Sequence, residues 1–163
     1  MVEPGRILSL TEFIPIRKQL KAEGRKLVFT NGVFDILHKG HVEYLMKARN
    51  LGDAMVVAVN ADSSVRRIKG DKRPINPQGD RAYLLAGLRC VDYVVFFEED
   101  TPAAVIDAII PDYLVKGADW DISKVVGREV VEAHGGRVLT IELTPDRSTT
   151  NVIEKVIRVY TGE

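Results

Sequence analysis

An α/β fold, with a five-stranded parallel sheet covered by helices on both faces, follows from three features of the sequence. Short apolar runs rich in β-branched residues recur along the chain, and amphipathic segments separate them. The Asn31-Gly32 pair, a possible hairpin turn, leads instead into a long helical pattern. Strand, helix and strand in repetition imply right-handed crossovers and a parallel sheet.

The elements follow in order. A helix from about Leu10 to Glu23 opens the chain, and Gly24 stops it. The first strand is Lys26 to Thr30, followed by a helix from His41 to Leu51. The run Ala54 to Val59 is apolar throughout and reads as a buried strand; the helix Asp80 to Leu88 comes after it. Tyr93 to Phe97 is the third strand, paired with a helix from Pro102 to Ile110. Tyr113 to Lys116 is the fourth, followed by a helix from Ser123 to His134 that Gly135-Gly136 ends. Arg137 to Ile141 is the fifth strand, and a helix from Thr150 to Tyr160 closes the chain.

At 163 residues the chain holds one domain with a real core and is short for two. The expected division is one domain over 1–163, with residues 1–24 a helical extension on a core of about 25–160. Apolar residues at 45% and charged residues at 28% exclude disordered or collagen-like classes. With 23 basic and 23 acidic residues, no global field points to nucleic acid or an anionic membrane as partner. Glu3, Pro4 and Gly5 interrupt any signal-peptide core, and no run approaches ~18 apolar residues, so a cytoplasmic protein is expected. Cys90, the only cysteine, reads as a buried inert thiol in a reducing compartment.

Open α/β sheets bind ligands at the carboxyl ends of their strands. There the sequence places Asn31 to His41 after the first strand and Asn60-Ala61-Asp62 after the second. Gly117-Ala118-Asp119-Trp120 follows the fourth, and Arg147-Ser148-Thr149-Thr150 comes after the fifth. Neither a G-x-x-x-x-G-K-[ST] loop nor a G-x-G-x-x-G turn occurs, which removes the best support for P-loop phosphotransfer and dinucleotide redox chemistry. His38 and His41 lie three apart where a strand runs into a helix, so both rings can point one way. Gly40 between them lets a phosphate approach the backbone, and the helix start adds free N–H groups and a positive dipole end.

The segment Thr30 to Asp35, followed by His38-Lys39-Gly40-His41, resembles the H-x-G-H signature of a nucleotidyltransferase superfamily that includes glycerol-phosphate cytidylyltransferase. Arg147-Ser148-Thr149-Thr150 is similar to its second signature, a Ser/Thr-rich turn opening the last helix. Further matches run through Asn60 to Asn76, the Asp80-Arg81-Ala82 helix start and Val115 to Asp119. These resemble the adenylyltransferase part of bacterial ADP-heptose synthase, from about Lys26 to Arg158, without the sugar kinase fused to it in many relatives. The chain departs from many relatives at Val33, where they carry a cysteine.

The resemblance implies a Rossmann-like sheet of nucleotidyltransferase type and transfer of AMP from Mg2+-bound ATP to D-glycero-β-D-manno-heptose 1-phosphate. It implies that His38 and His41 donate to the α- and β-phosphates, with Gly40 at their side. Thr30, Asn31, Gly32, Val33 and Phe34 would cradle the nucleotide, and Ser148, Thr149 and Thr150 would meet the outer phosphates. Lys69 becomes a candidate for the attacking phosphate, on a loop with Lys72 and Arg73 that either closes over the reactants or is merely solvated. Arg81 sits one residue inside a helix, where a cation is disfavoured, and so is read as facing a ligand. Asp35 and Asp62 hold a polar network or a ribose, or cap helices. Lys116, Gly117 and Asp119 border the base, with Asp119 either accepting from an amine or capping. No metal ligands of the protein's own are expected. The implied partners are ATP and a sugar phosphate, a second copy of the chain and a separate heptose 7-phosphate kinase. The alternatives are a cytidylyltransferase acting on glycerol 3-phosphate and a nucleotide-binding regulator without turnover.

Overall fold

The computed structural model describes residues 3–162. Met1, Val2 and Glu163, which the single-domain reading includes, lie outside the described residues. The elements are β1 (Arg6–Leu8), α1 (Leu10–Ala22), β2 (Leu27–Gly32), α2 (Lys39–Arg49), β3 (Ala54–Asn60), α3 (Asp62–Lys69), α4 (Gln78–Ala86) and β4 (Tyr93–Phe97). They continue with α5 (Ala103–Ile109), β5 (Tyr113–Gly117), a 3-10 turn at Ile122–Lys124, α6 (Arg128–Ala133), β6 (Arg137–Ile141) and α7 (Thr149–Thr161).

All strand pairs are parallel, in the order β1-β4-β3-β2-β5-β6. The sheet therefore has six strands where the sequence predicts five. The extra strand, β1, is three residues long and buries only Leu8, so it shows no period of its own. The segment α3 is also absent from the sequence reading, because its eight residues bury only Ser64 and Val65. The helix expected over 123–134 is shorter, since Gly127 takes a left-handed conformation (φ 86°) against Ile106 and α6 starts only after it.

Every residue of β3 is buried, which follows from its place between β4 and β2. Alternation along the strands divides the core in two. Leu27, Phe29, Val56, Ala58 and Leu114 pack with Phe13 and Leu20 of α1 and Val105, Ile106 and Ile109 of α5. On the other face Val28, Met55, Val57 and Val115 pack with Tyr44, Leu45 and Ala48 of α2 and with Leu85 of α4. Ser9 opens α1 with a capping box to Glu12. Arg17, buried, anchors that helix by donating to the Ile109 and Ile110 carbonyls and pairing with Asp112 at 3.0 Å.

The chain leaves β2 for β3 and β4 on one side, then returns to lay β5 and β6 on the other. The carboxyl ends of β2 and β5 thus flank the switch point, where the loops part and a crevice opens. Among the described residues no helix is long and apolar enough to cross a membrane.

Candidate active site

Beyond β2 the backbone turns through Phe34, a non-glycine residue at φ 49°, and runs to His38, the N-cap of α2. His38 caps with its backbone only, so its side chain is free of the helix. The His38 and His41 rings stack, with centroids 3.9 Å apart and planes 21° from parallel. The Phe34 ring meets His41 edge-on at 5.3 Å. Both Nδ1 atoms are buried and lack a hydrogen-bond partner. Burial, then the charge of Arg147, holds His38 below the usual imidazole range. Burial, then the neighbouring His38, brings His41 down to about 4. Both rings are therefore neutral at pH 7 in the free protein. Gly40 is buried beneath them, and a Cβ there would lie 3.0 Å from the Arg147 Cβ and 3.1 Å from the His38 ring. Glycine is what lets the start of α2 close against the approach to α7.

A cavity of about 700 Å³ runs from this wall over the strand ends. His38, His41, Ser148 and Thr149 line one side, and Asn31, Lys116 and Trp120 line another. The Ser148 hydroxyl accepts from Asn151 N at 3.0 Å and so caps α7. The Thr149 hydroxyl donates to the Ile36 carbonyl at 3.4 Å and joins the start of α7 to the loop before His38. Two helix N-termini thereby share one wall, an arrangement suited to a polyphosphate. Gly32, Val33, Gly117 and Asp119 also line the cavity. A Cβ on Gly117 would stand 2.6 Å from the Asp119 carboxylate, so the close fold-back of Asp119 requires glycine. Lys69 reaches the cavity from the end of α3. Lys116 donates to the Asn31 side-chain carbonyl and lies 5.4 Å from the centre of the Trp120 ring.

Several residues predicted to meet ligand face the protein instead. The Thr30 hydroxyl is buried and shares a hydrogen bond with the Tyr44 hydroxyl at 2.8 Å, while Tyr44 donates to the Val115 carbonyl. Asp35 is 1% exposed and accepts from Ile75 N, Asn76 N and Arg73 Nε. Burial pushes its carboxyl up, but those backbone donors and Arg73 together hold it below the usual carboxylate range. Of the three readings for Asp35 the structure shows the network, which pins the loop over 73–76. Arg73 is correspondingly tied to Asp35 and is absent from the cavity wall.

Arg81, wholly buried, donates to the carbonyls of Asn76, Val33 and Asn60 and pairs with Asp62 at 2.7 Å. Its place inside the helix serves these protein partners, at a position where the sequence suggests a ligand. Asp62 is likewise occupied by that pair. Thr150 is exposed and outside the cavity lining. The sequence reading assigned no role to Asn60, Tyr44 or Arg147, which all line the cavity. Asn60 had a visible signal, a polar residue ending an otherwise apolar strand.

The sequence model of a family described as cytidylyltransferase-like matches residues 29–159, most of the chain and all of this wall. The chain belongs to that family. As a cytidylyltransferase-like protein it is a nucleotidyltransferase, and its relatives extend the match. It is 58% identical over 139 residues to "Bifunctional protein HldE" of Citrifermentans bemidjiense, covering 85% of this chain and 28% of that protein. With the protein of the same name from Geobacter metallireducens it shares 50% identity over 159 residues, 98% of this chain and 32% of the relative. The chain thus spans about three tenths of the length of these curated relatives. A solved "lipopolysaccharide core biosynthesis protein" of Thermoplasma volcanium superposes with TM-score 0.62 at 31% identity, over 74% of this chain and 98% of the other. Pantoate-beta-alanine ligase of Francisella tularensis, solved with β-γ ATP and β-alanine, gives 0.61 at 15% identity over 98% of this chain and 80% of its own, a likeness of fold.

Proposed function

We propose that this nucleotidyltransferase moves AMP from ATP to D-glycero-β-D-manno-heptose 1-phosphate, releasing pyrophosphate and forming ADP-heptose for lipopolysaccharide core synthesis in the cytoplasm. The observation that carries the chemistry is the stacked, neutral His38–His41 pair at the N-terminus of α2, on one wall with the capped start of α7. The observation that favours the substrate is the 50–58% identity to HldE proteins across nearly the whole chain.

An oxygen of the acceptor phosphate attacks the α-phosphorus, a new P–O bond forms, and the bond to the β-phosphate breaks with its electrons leaving on pyrophosphate. Charge gathers on the non-bridging and leaving oxygens, and fixed donors are the main means of stabilising it. The two imidazoles supply N–H groups there. Because the protein gives neither Nδ1 a partner, the bound phosphates select the tautomer. Gly40 leaves room for the phosphate chain, and Ser148 and Thr149 bring the free N–H groups of α7 to its outer end. Lys69 joins the reacting phosphates when its loop closes. Asp119 and Gly117 border the base. A Mg2+ ion bound with the nucleotide would supply charge neutralisation to the triphosphate oxygens. A homodimeric assembly and a separate heptose 7-phosphate kinase belong to the same proposal.

The test is a matrix of four nucleoside triphosphates against heptose 1-phosphate and glycerol 3-phosphate, scored for pyrophosphate. ATP with the heptose should lead. Faster turnover of CTP with glycerol 3-phosphate would replace the reading with a cytidylyltransferase, and nucleotide binding without pyrophosphate anywhere would make the chain a regulator.

A further inference from the structure

Four charged side chains are buried among the described residues: Arg17, Asp35, Arg81 and Lys116. Arg17 pairs with Asp112, Asp35 with Arg73 and Arg81 with Asp62. Lys116 has no carboxylate partner. It is 7% exposed, it lines the cavity, and its one hydrogen bond goes to the neutral amide of Asn31. A buried ammonium without an anion is costly, and proteins seldom keep one unless something compensates it. Burial alone pulls Lys116 down to about 8, so it is still largely charged at pH 7. Two of its three N–H groups remain for a ligand.

Its place narrows what the ligand is. Asn31 and Lys116, each one residue before the end of β2 and β5, lie on the sheet face that carries Phe29 and Leu114, under α1 and α5. Phe34 and Tyr44, which flank the histidine wall, belong to the opposite face, under α2. The cavity crosses the strand ends between the two. In an in-line displacement the attacking and leaving groups stand on opposite sides of the phosphorus. If pyrophosphate leaves toward the N-termini of α2 and α7, the attacker stands on the side of Lys116. Asn60 is on that side too, buried at the end of β3, with its amide N–H donated to Ser64 and its carbonyl oxygen open to hydroxyl donors. Thr101 lines the same part of the cavity.

We propose that Lys116 is the fixed receptor for the phosphate of the acceptor, a sugar phosphomonoester whose hydroxyls meet Asn60 and Thr101, and takes no part in holding the nucleotide. The assignment rests on the transfer reaction proposed above. The Trp120 ring stands 5.4 Å from the ammonium, and Lys69, exposed on α3, comes to the same phosphate only on closure.

The experiment compares wild type with Lys116→Met, which keeps the length of the chain and removes an uncompensated charge, so the variant should unfold at the same temperature or higher. Lys116→Gln is the second variant should Met misfold. Each protein, saturated with a non-hydrolysable ATP analogue, is titrated calorimetrically with heptose 1-phosphate and with glycerol 3-phosphate. Loss of charge-assisted hydrogen bonds should weaken whichever acceptor binds by about 10- to 100-fold, with the Kd of the analogue within about twofold of wild type. Equal acceptor affinity, an equal loss of analogue affinity, or a wild type that binds neither phosphomonoester would each overturn the assignment. Acceptor binding that depends on Lys116, with no pyrophosphate released from ATP, would instead refute the transfer reaction and leave the receptor in place.

Discussion

The rings of His38 and His41 stack with centroids 3.9 Å apart and planes 21° from parallel, a spacing at which two imidazolium charges repel strongly and two neutral rings do not. The fold therefore stores a pair that resists protonation. In the unfolded chain His41 titrates near its ordinary value of 6.5, and in the fold it is held to about 4. Between those values the unfolded chain binds a proton that the native protein refuses, so stability is full above 6.5 and is lost as pH falls toward 4. Urea midpoints measured at pH 7.5, 6 and 5 should decline for wild type and decline less for His41→Asn. The lowered carboxyls of Asp35 and Asp112 lose their contribution at lower pH, outside this window. Parallel pH profiles for the two proteins would remove His41 as the cause.

The same pair sets the catalytic expectation. His38→Ala and His41→Ala should each lower kcat by about 10² to 10³, as removal of a transition-state donor does, with the thermal midpoint little changed. Because both rings serve one phosphate chain, the double variant should lose less than the product of the two. Turnover like wild type in either single variant would return the histidines to packing.

Which parts of this were readable in advance depends on the range of the interaction. β3 is evident from its sequence because all seven residues are buried and apolar up to Asn60. The H-x-G-H segment is evident because strand end, glycine and helix start are neighbours in the chain. β1 escapes because Arg6 and Ile7 face solvent and a three-residue strand carries no alternation. Arg81 and Asp35 are ambiguous in the sequence for a different reason. Each is a charge near a phosphate-binding motif, and its counter-charge comes from farther along the chain: Asp62, 19 residues away for Arg81, and Arg73, 38 residues away for Asp35. Local pattern shows that such a charge needs a partner and cannot show whether the partner is protein or ligand.

Asp35→Ala should accordingly act on stability before chemistry. It strands the Ile75 and Asn76 N–H groups and the Arg73 guanidinium, partly buried around the buried carboxylate. The cost expected for breaking such a buried pair is about 3 kcal/mol or more. For a chain of this size that is roughly 6–12 °C in Tm. Lys72→Ala, on the exposed part of the same loop, should leave Tm within about 1 °C. A thermal scan showing no difference between the two variants would mean that Asp35 does not hold the loop.

The pinned base also defines what is left to move. Lys69 is the last residue of α3, and Gly70 follows at φ 92°, a conformation that favours glycine. From residue 73 onward Asp35 fixes the chain, so the mobile stretch is short and Lys69 lies at its hinge, exposed and already on the cavity wall. A small rotation there would carry the ammonium to the reacting phosphates once both substrates are bound. A contact made mainly in the transition state appears in rate and little in ground-state binding. Lys69→Ala should then depress kcat strongly while the Kd of ATP alone stays nearly unchanged. A solvated lysine would give less than about a twofold change in rate, because exposed charges away from ligand contribute little. A lysine that simply holds ATP would weaken equilibrium binding as much as it slows turnover. Calorimetric ATP affinity beside steady-state kinetics for this one variant separates the three cases, and either of the last two results would take Lys69 out of the reaction.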